Sequence, residues 1–170
     1  SSITDFRENS LDGPQYINQS AYLLEIKGLV SHPLLLPYEE VITEYPPFKK
    51  KAPLFRVEGW EVTILWEGVR VKDLLNEAGV HPAANTVIFY AADGYSTSLP
   101  LDYIEDRDIL LAYSMNGVTL PAERGFPFQL VGEDRWGYKW IKWVTRIEVS
   151  DDPSYRGYWE KRGFSQSGER

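Results

Sequence analysis

WIKWVTRIEV, residues 140–149, is the stretch on which the reading of the fold turns. At a period of two, Ile141, Trp143, Ile147 and Val149 point one way, and Trp140, Lys142, Val144, Arg146 and Glu148 point the other. The pattern predicts a long strand with two unlike faces, one of them carrying cations among aromatic rings.

Upstream, TVIFYA at 86–91 predicts a buried strand, and Asp93-Gly94 predicts a hairpin into Tyr95–Leu99. Leu101–Asp106 predicts a helical turn. Ile109–Tyr113 predicts a strand closed by Asn116-Gly117. Leu120-Pro121 and Phe126-Pro127 bracket a loop around Arg124-Gly125, followed by a short apolar run at Phe128–Val131. Val71, Leu74, Leu75 and Ala78 fall at helical spacing, with Gly79 as the stop. Before them, residues 52–66 hold two apolar runs in which Val62, Ile64 and Trp66 share a face, and Glu67-Gly68 is expected to turn the chain.

Nearer the start, Tyr22–Leu29 predicts a strand closed at Gly28, and His32-Pro33 a turn. Tyr38–Tyr45 predicts a short helix stopped by Pro46-Pro47. Residues 1–20 read as a polar arm with a turn at Asp12-Gly13-Pro14, 21–160 as one domain, and 161–170 as a polar tail. Many short strands with two or three short helices predict an α+β fold around a mostly antiparallel or mixed sheet system.

A chain of 170 residues supports one core-bearing domain rather than two. Its net charge of −7 argues against a non-specific grip on nucleic acid or anionic lipid, while leaving room for a local basic pocket. It contains no cysteine, which removes disulfides, thiolate metal sites and thiol nucleophiles together. Its two histidines, His32 and His81, each precede proline, so a multi-histidine metal site is excluded. No apolar run is long enough to span a membrane.

Arg124, Arg135, Lys139 and Lys142 stand among Trp136, Tyr138 and Trp140. Interleaved in this way, rings can stack on a planar ligand while cations meet its anionic group. The same pattern also suits a solvated face whose lysine stems cover apolar rings. Asp93, Asp102, Glu105, Asp106 and Asp108 form an acidic cluster whose spacing matches no calcium loop, and solvated carboxylates account for it. Arg56 sits in an apolar run before Val57-Glu58-Gly59-Trp60, where a guanidinium calls for an anion or a carboxylate. Exposed Trp and Tyr beside acids also suit a carbohydrate-binding module.

Ordered segments covering about Tyr22 to Trp159 resemble the molybdopterin-binding domain of the sulfite oxidase family. They are RVEGW (56–60), WEGVRVKDLL (66–75), DGYSTSLPL (93–101), LLAYSMNGVTLP (110–121), ERGFPFQLV (123–131), WGYKWIKW (136–143) and GYWE (157–160). The resemblance implies a mixed-sheet α+β fold around a cofactor crevice. It also implies molybdopterin with molybdenum as the cofactor, and transfer of an oxygen atom or electrons to a small substrate. It places Arg56, Tyr95, Ser98, Arg124, Gln129, Gly137, Lys139, Trp140 and Lys142 at cofactor-binding positions.

In that family a metal-ligating cysteine usually precedes V-E-G-W. Here Arg56 holds the position, and a guanidinium cannot ligate a metal. Two further departures are Gln129, where an arginine is common, and Trp140, where a small residue is common. Two readings stay open: a molybdopterin-type oxidoreductase domain, active or partly active, or a non-catalytic relative binding another anionic ligand or a protein partner. The family's habit implies a periplasmic or extracytoplasmic location and a redox partner of unstated identity.

Overall fold

A computed structural model describes residues 13–55, 61–132 and 140–157. In chain order the elements are β1 (Leu23–Gly28), β2 (Leu34–Pro37), α1 (Tyr38–Glu44), β3 (Phe48–Phe55), β4 (Glu61–Arg70), α2 (Val71–Ala78), β5 (Thr86–Ala91) and β6 (Ser96–Pro100). They continue with α3 (Leu101–Asp106), β7 (Leu110–Met115), β8 (Val118–Thr119), β9 (Gln129–Val131) and β10 (Val144–Ser150). The first sheet runs β2-β1-β10-β5-β6. The second runs β3-β4-β7-β8, with β9 also paired to β7. β1 and β10 are parallel while the other pairs are antiparallel, so the first sheet is mixed, as the α+β reading expects.

The second sheet lies between two apolar clusters because successive strand residues face opposite ways. On β7, Leu111 enters the larger core, while Leu110 and Ala112 enter the smaller one. The larger core takes Leu24 and Ile26 from β1, Val87 and Phe89 from β5, and Ile147 and Val149 from β10. Onto these pack Val71, Leu74, Leu75 and Ala78 of α2, all buried as their spacing predicts. Gly79 ends α2 in the left-handed region at φ 76°, its N–H donating to the Leu75 carbonyl. The Gly79 and Ala78 carbonyls then accept from the Ser31 and His32 amides, each at 2.8 Å.

α1 ends before Pro46-Pro47, and the Asp93-Gly94 hairpin joins β5 to β6. Asp93 Oδ1 accepts the Tyr95 amide across that turn at 3.1 Å.

Three expectations are corrected. Gly68 does not turn the chain: β4 continues through it to Arg70, with a register shift against β7 between Glu67 and Gly68. A β-carbon at Gly68 would lie 2.2 Å from the Leu111 carbonyl oxygen, so the glycine permits close strand contact at a bulge. β2 follows the turn at His32-Pro33, where no strand is expected. The long strand at 140–149 begins only at Val144, because Trp143 takes a left-handed conformation at φ 53°. Residues 140–144 are consequently all buried, and alternation resumes only in the second half of the segment.

Candidate functional site

The chain between β8 and β9 forms a short helical turn at Ala122–Arg124 and then reaches Gly125 at φ 105°. That conformation is costly for any residue with a β-carbon. Space sets a second demand. A β-carbon at Gly125 would lie 3.0 Å from the Lys142 Cβ and 3.1 Å from the Gln129 Cβ. The glycine thus lets the loop, β9 and the segment before β10 meet at one point.

Phe126 and Phe128 anchor the loop from below. Phe126 packs on Tyr38 with ring centroids 5.4 Å apart. Phe128 meets Tyr38 at 5.5 Å, Tyr22 at 5.7 Å and Tyr113 at 6.3 Å. The Tyr22 hydroxyl donates to the Val144 carbonyl at 2.5 Å, and its burial raises the phenol's pKa well above the ordinary value. Tyr22 is therefore a neutral strut between the first strand's entry and the start of β10.

Residues 126–131 and 140–144 are stitched together by backbone. The Leu130 amide donates to the Ile141 carbonyl at 2.9 Å, and the Val144 amide to Phe128 at 3.2 Å. Trp143 closes the junction. Its amide donates to the Gly125 carbonyl at 3.2 Å, its indole N–H to the Ala122 carbonyl at 2.7 Å, and its carbonyl accepts the Ala92 amide at 2.9 Å. Periodicity gives no sign of this clamp, since it treats Trp143 as one more strand residue.

Two polar side chains line the junction. Gln129 is 1% exposed, and its Nε2 donates to the Trp140 carbonyl at 3.3 Å. Its Oε1 has no partner among the described residues. A buried acceptor left unpaired costs about 1–3 kcal/mol, so this oxygen calls for a donor beyond the described residues. Lys142 is 8% exposed, with its ammonium 5.5 Å from the centre of the Trp143 ring. The aliphatic stem packs at Gly125 while the cationic end remains in the same wall.

The other sequence-derived positions divide. Arg124 is half-buried on the turn that leads into Gly125. Trp140 contributes its carbonyl to Gln129, but its ring belongs to the smaller core, edge-on to Trp66 at 5.9 Å, with its indole N–H donating to the Gly132 carbonyl. The large residue therefore fills core space. Tyr95 lies in the larger core with Leu99, whereas Ser98 stands opposite Ile88 on the sheet's other face. One surface is not lined by both. Arg56, Gly137 and Lys139 lie outside the described residues. Among the described residues no group of His, Asp or Glu is placed to hold a metal ion, and Asp108 of the acidic cluster is instead paired with Arg70 and Lys72.

Comparison with known proteins places this arrangement. Residues 11–159 match the family model described as the oxidoreductase molybdopterin binding domain. The chain belongs to that family. It is 36% identical over 159 residues to the uncharacterized oxidoreductase YuiH of Bacillus subtilis (strain 168), covering 93% of this chain and 79% of that one. It is 37% identical over 119 residues to human mitochondrial sulfite oxidase, covering 62% of this chain and 22% of that one. Among solved structures, the sulfane dehydrogenase SoxCD from Paracoccus pantotrophus superimposes with a TM-score of 0.77 at 28% identity, covering 82% of this chain and 41% of that one. The chain thus corresponds to a minor part of the sulfite oxidase and of the SoxCD chain.

Molybdopterin is the cofactor this family implies, and the described residues fit its pterin end. Pterin ring N–H groups are donors for an unpaired buried carboxamide oxygen such as Gln129 Oε1. The Lys142 ammonium suits the cofactor's anionic side. The metal end differs: with no cysteine in the chain, no thiolate ligand comes from it.

Proposed function

We propose that this chain holds molybdopterin at the Gly125–Gln129–Lys142 junction, and that it does so without giving the metal a thiolate. The observation that carries the reading is the buried Gln129 Oε1, which has no partner among the described residues. Gln129 accepts a hydrogen bond from the pterin, and Lys142 balances negative charge. Gly125 admits both without a β-carbon in the way. Arg124 adds positive charge on the turn that leads into Gly125, and the resemblance assigns Lys139 to the same cofactor. Trp143 keeps the wall closed to water by tying Ala122, Gly125 and Ala92 together.

When bound, the group supplies a redox metal on a dithiolene, the chemistry of oxygen-atom or electron transfer to a small substrate. Since Arg56 replaces the family's ligand by resemblance, we expect that transfer to be slow in this chain. Arg56→Cys is expected to raise metal retention and turnover.

The test is purification from a host that makes the cofactor, followed by measurement of pterin fluorescence after oxidation and of molybdenum content. Pterin and metal in the wild type, both reduced in Gln129→Met, support the reading. A folded protein lacking both supports the alternative, a non-catalytic relative whose crevice takes another anionic ligand or a protein partner.

A further inference from the structure

Ile141 and Val144 both enter the larger core, three residues apart, and so do Val144 and Ile147. An extended strand puts residues two apart on one face, so each of these intervals contains a break in alternation. The break between Val144 and Ile147 is a bulge in β10. Val144 pairs with Ala91 and Arg146 with Tyr90, which leaves Thr145 as the extra residue. The break between Ile141 and Val144 is Trp143, whose backbone lies in the left-handed region at φ 53°. That conformation is an outlier for so large a side chain.

Lys142 lies inside the interval that Trp143 breaks. Counted back from Val144 along an unbroken strand, Lys142 would share Val144's face and carry its ammonium toward the larger core, while Ile141 would turn away from it. The left-handed residue exchanges the two. Ile141 takes the place in the core, and the Lys142 Cβ and Cγ come within 3.0 and 3.1 Å of a β-carbon built at Gly125. Three bonds to distant parts of the chain hold Trp143 in this conformation. Its amide donates to Gly125 and its carbonyl accepts from Ala92, while its indole N–H donates to Ala122. The first two belong to the backbone and do not need the ring.

We propose that Trp143 is a positioning residue for Lys142. Its left-handed backbone, held by Gly125 and Ala92, directs the lysine to the junction with Gly125 and Gln129 instead of toward the apolar core. Its effect on a ligand passes through Lys142. The direction of Lys142 stands on this geometry alone, whereas its use in balancing the cofactor's negative charge rests on the molybdopterin reading above.

The test compares Trp143→Gly with Trp143→Ala in the full chain. Both remove the ring and its bond to Ala122, but only glycine takes the left-handed backbone without penalty. Lys142 is 8% exposed, so its acetylation by a water-soluble ester, located by peptide mass, reads whether it stays at the junction. On cofactor-free protein Lys142 should react about tenfold faster than wild type, or more, in Trp143→Ala, and within about threefold of wild type in Trp143→Gly. Trp143→Gly should also have the higher thermal midpoint, the reverse of the order in a regular strand. From a cofactor-producing host it should carry the more pterin. Leu74→Ala, a core substitution on α2, should lower the midpoint without speeding Lys142 acetylation. Where neither Trp143 variant folds, Trp143→Phe keeps a ring and both backbone bonds, and its Lys142 should react within about threefold of wild type. Equal acetylation in Trp143→Gly and Trp143→Ala, fast acetylation in Leu74→Ala, or fast acetylation in Trp143→Phe would each overturn the proposal. A wild type without pterin, alongside the expected acetylation difference, would defeat the molybdopterin reading and leave the positioning of Lys142 standing.

Discussion

Gly125 and Lys142 approach so closely that a β-carbon on the glycine would lie 3.0 Å from the lysine's own. The contact joins a loop to the approach of a strand in the other sheet, with Gln129 completing it. Gly125→Ala meets two penalties, the left-handed backbone at φ 105° and the loss of that close approach. Destabilisation of about 1–3 kcal/mol is expected, measured by urea unfolding, together with reduced pterin content.

Gln129→Met separates binding from folding. It removes an orphaned acceptor, which is favourable, and the Nε2 hydrogen bond to Trp140, which is unfavourable. These effects offset, so stability of the cofactor-free protein should change by less than about 1 kcal/mol. Pterin content should fall severely. A large stability loss with unchanged pterin content would assign Gln129 a purely structural role.

Gly68→Ala tests the bulge. Its backbone carries no left-handed demand, yet the new β-carbon would lie 2.2 Å from the Leu111 carbonyl oxygen and 2.6 Å from the Ala112 Cα. Neither neighbour is a side chain that can swing aside. A loss of more than about 3 kcal/mol, or failure to fold, is expected from chemical denaturation.

Acid titration reports on Asp108. Burial raises its pKa, but hydrogen bonds and charge from Lys72 and Arg70 outweigh that and hold it below the ordinary 3.8. A depressed carboxylate contributes stability that is fully present above its unfolded value and is lost as pH falls through the lowered one. Asp108→Asn should therefore flatten the decline of the thermal midpoint below about pH 4. The side chain is 37% exposed, so the contribution is expected to be under about 1 kcal/mol.

Elements whose stability is local were legible in the chain. α2 declares itself because four aliphatic residues share one helical face, and Gly79 stops it. The β5–β6 hairpin declares itself because Asp93-Gly94 supplies the turn. Elements that depend on distant partners were not. Four residues of β2, with Leu35 exposed and Leu36 buried, are too short a pattern to separate from a loop. Trp143 fits a strand in sequence but is held left-handed by Ala92, Gly125 and Ala122, all distant along the chain. Gly68 suits a turn or a bulge equally until β7 is alongside.

The candidate site followed the same division. Resemblance led to Gln129, Lys142 and Arg124, but not to the unpaired Oε1, which exists only once Gly125 and Trp140 are in place. It grouped Tyr95 with Ser98, and strand alternation separates them. Trp140 appeared as a ring in the pocket, and Trp66 draws that ring into the smaller core.

The most direct measurement is the pterin and molybdenum content of the wild-type chain and of Gln129→Met, both purified from a cofactor-producing host and checked for folding by circular dichroism. The account predicts pterin with metal in the wild type and a severe loss of both in the variant. A folded wild-type protein carrying neither, or a variant retaining as much as the wild type, would contradict it.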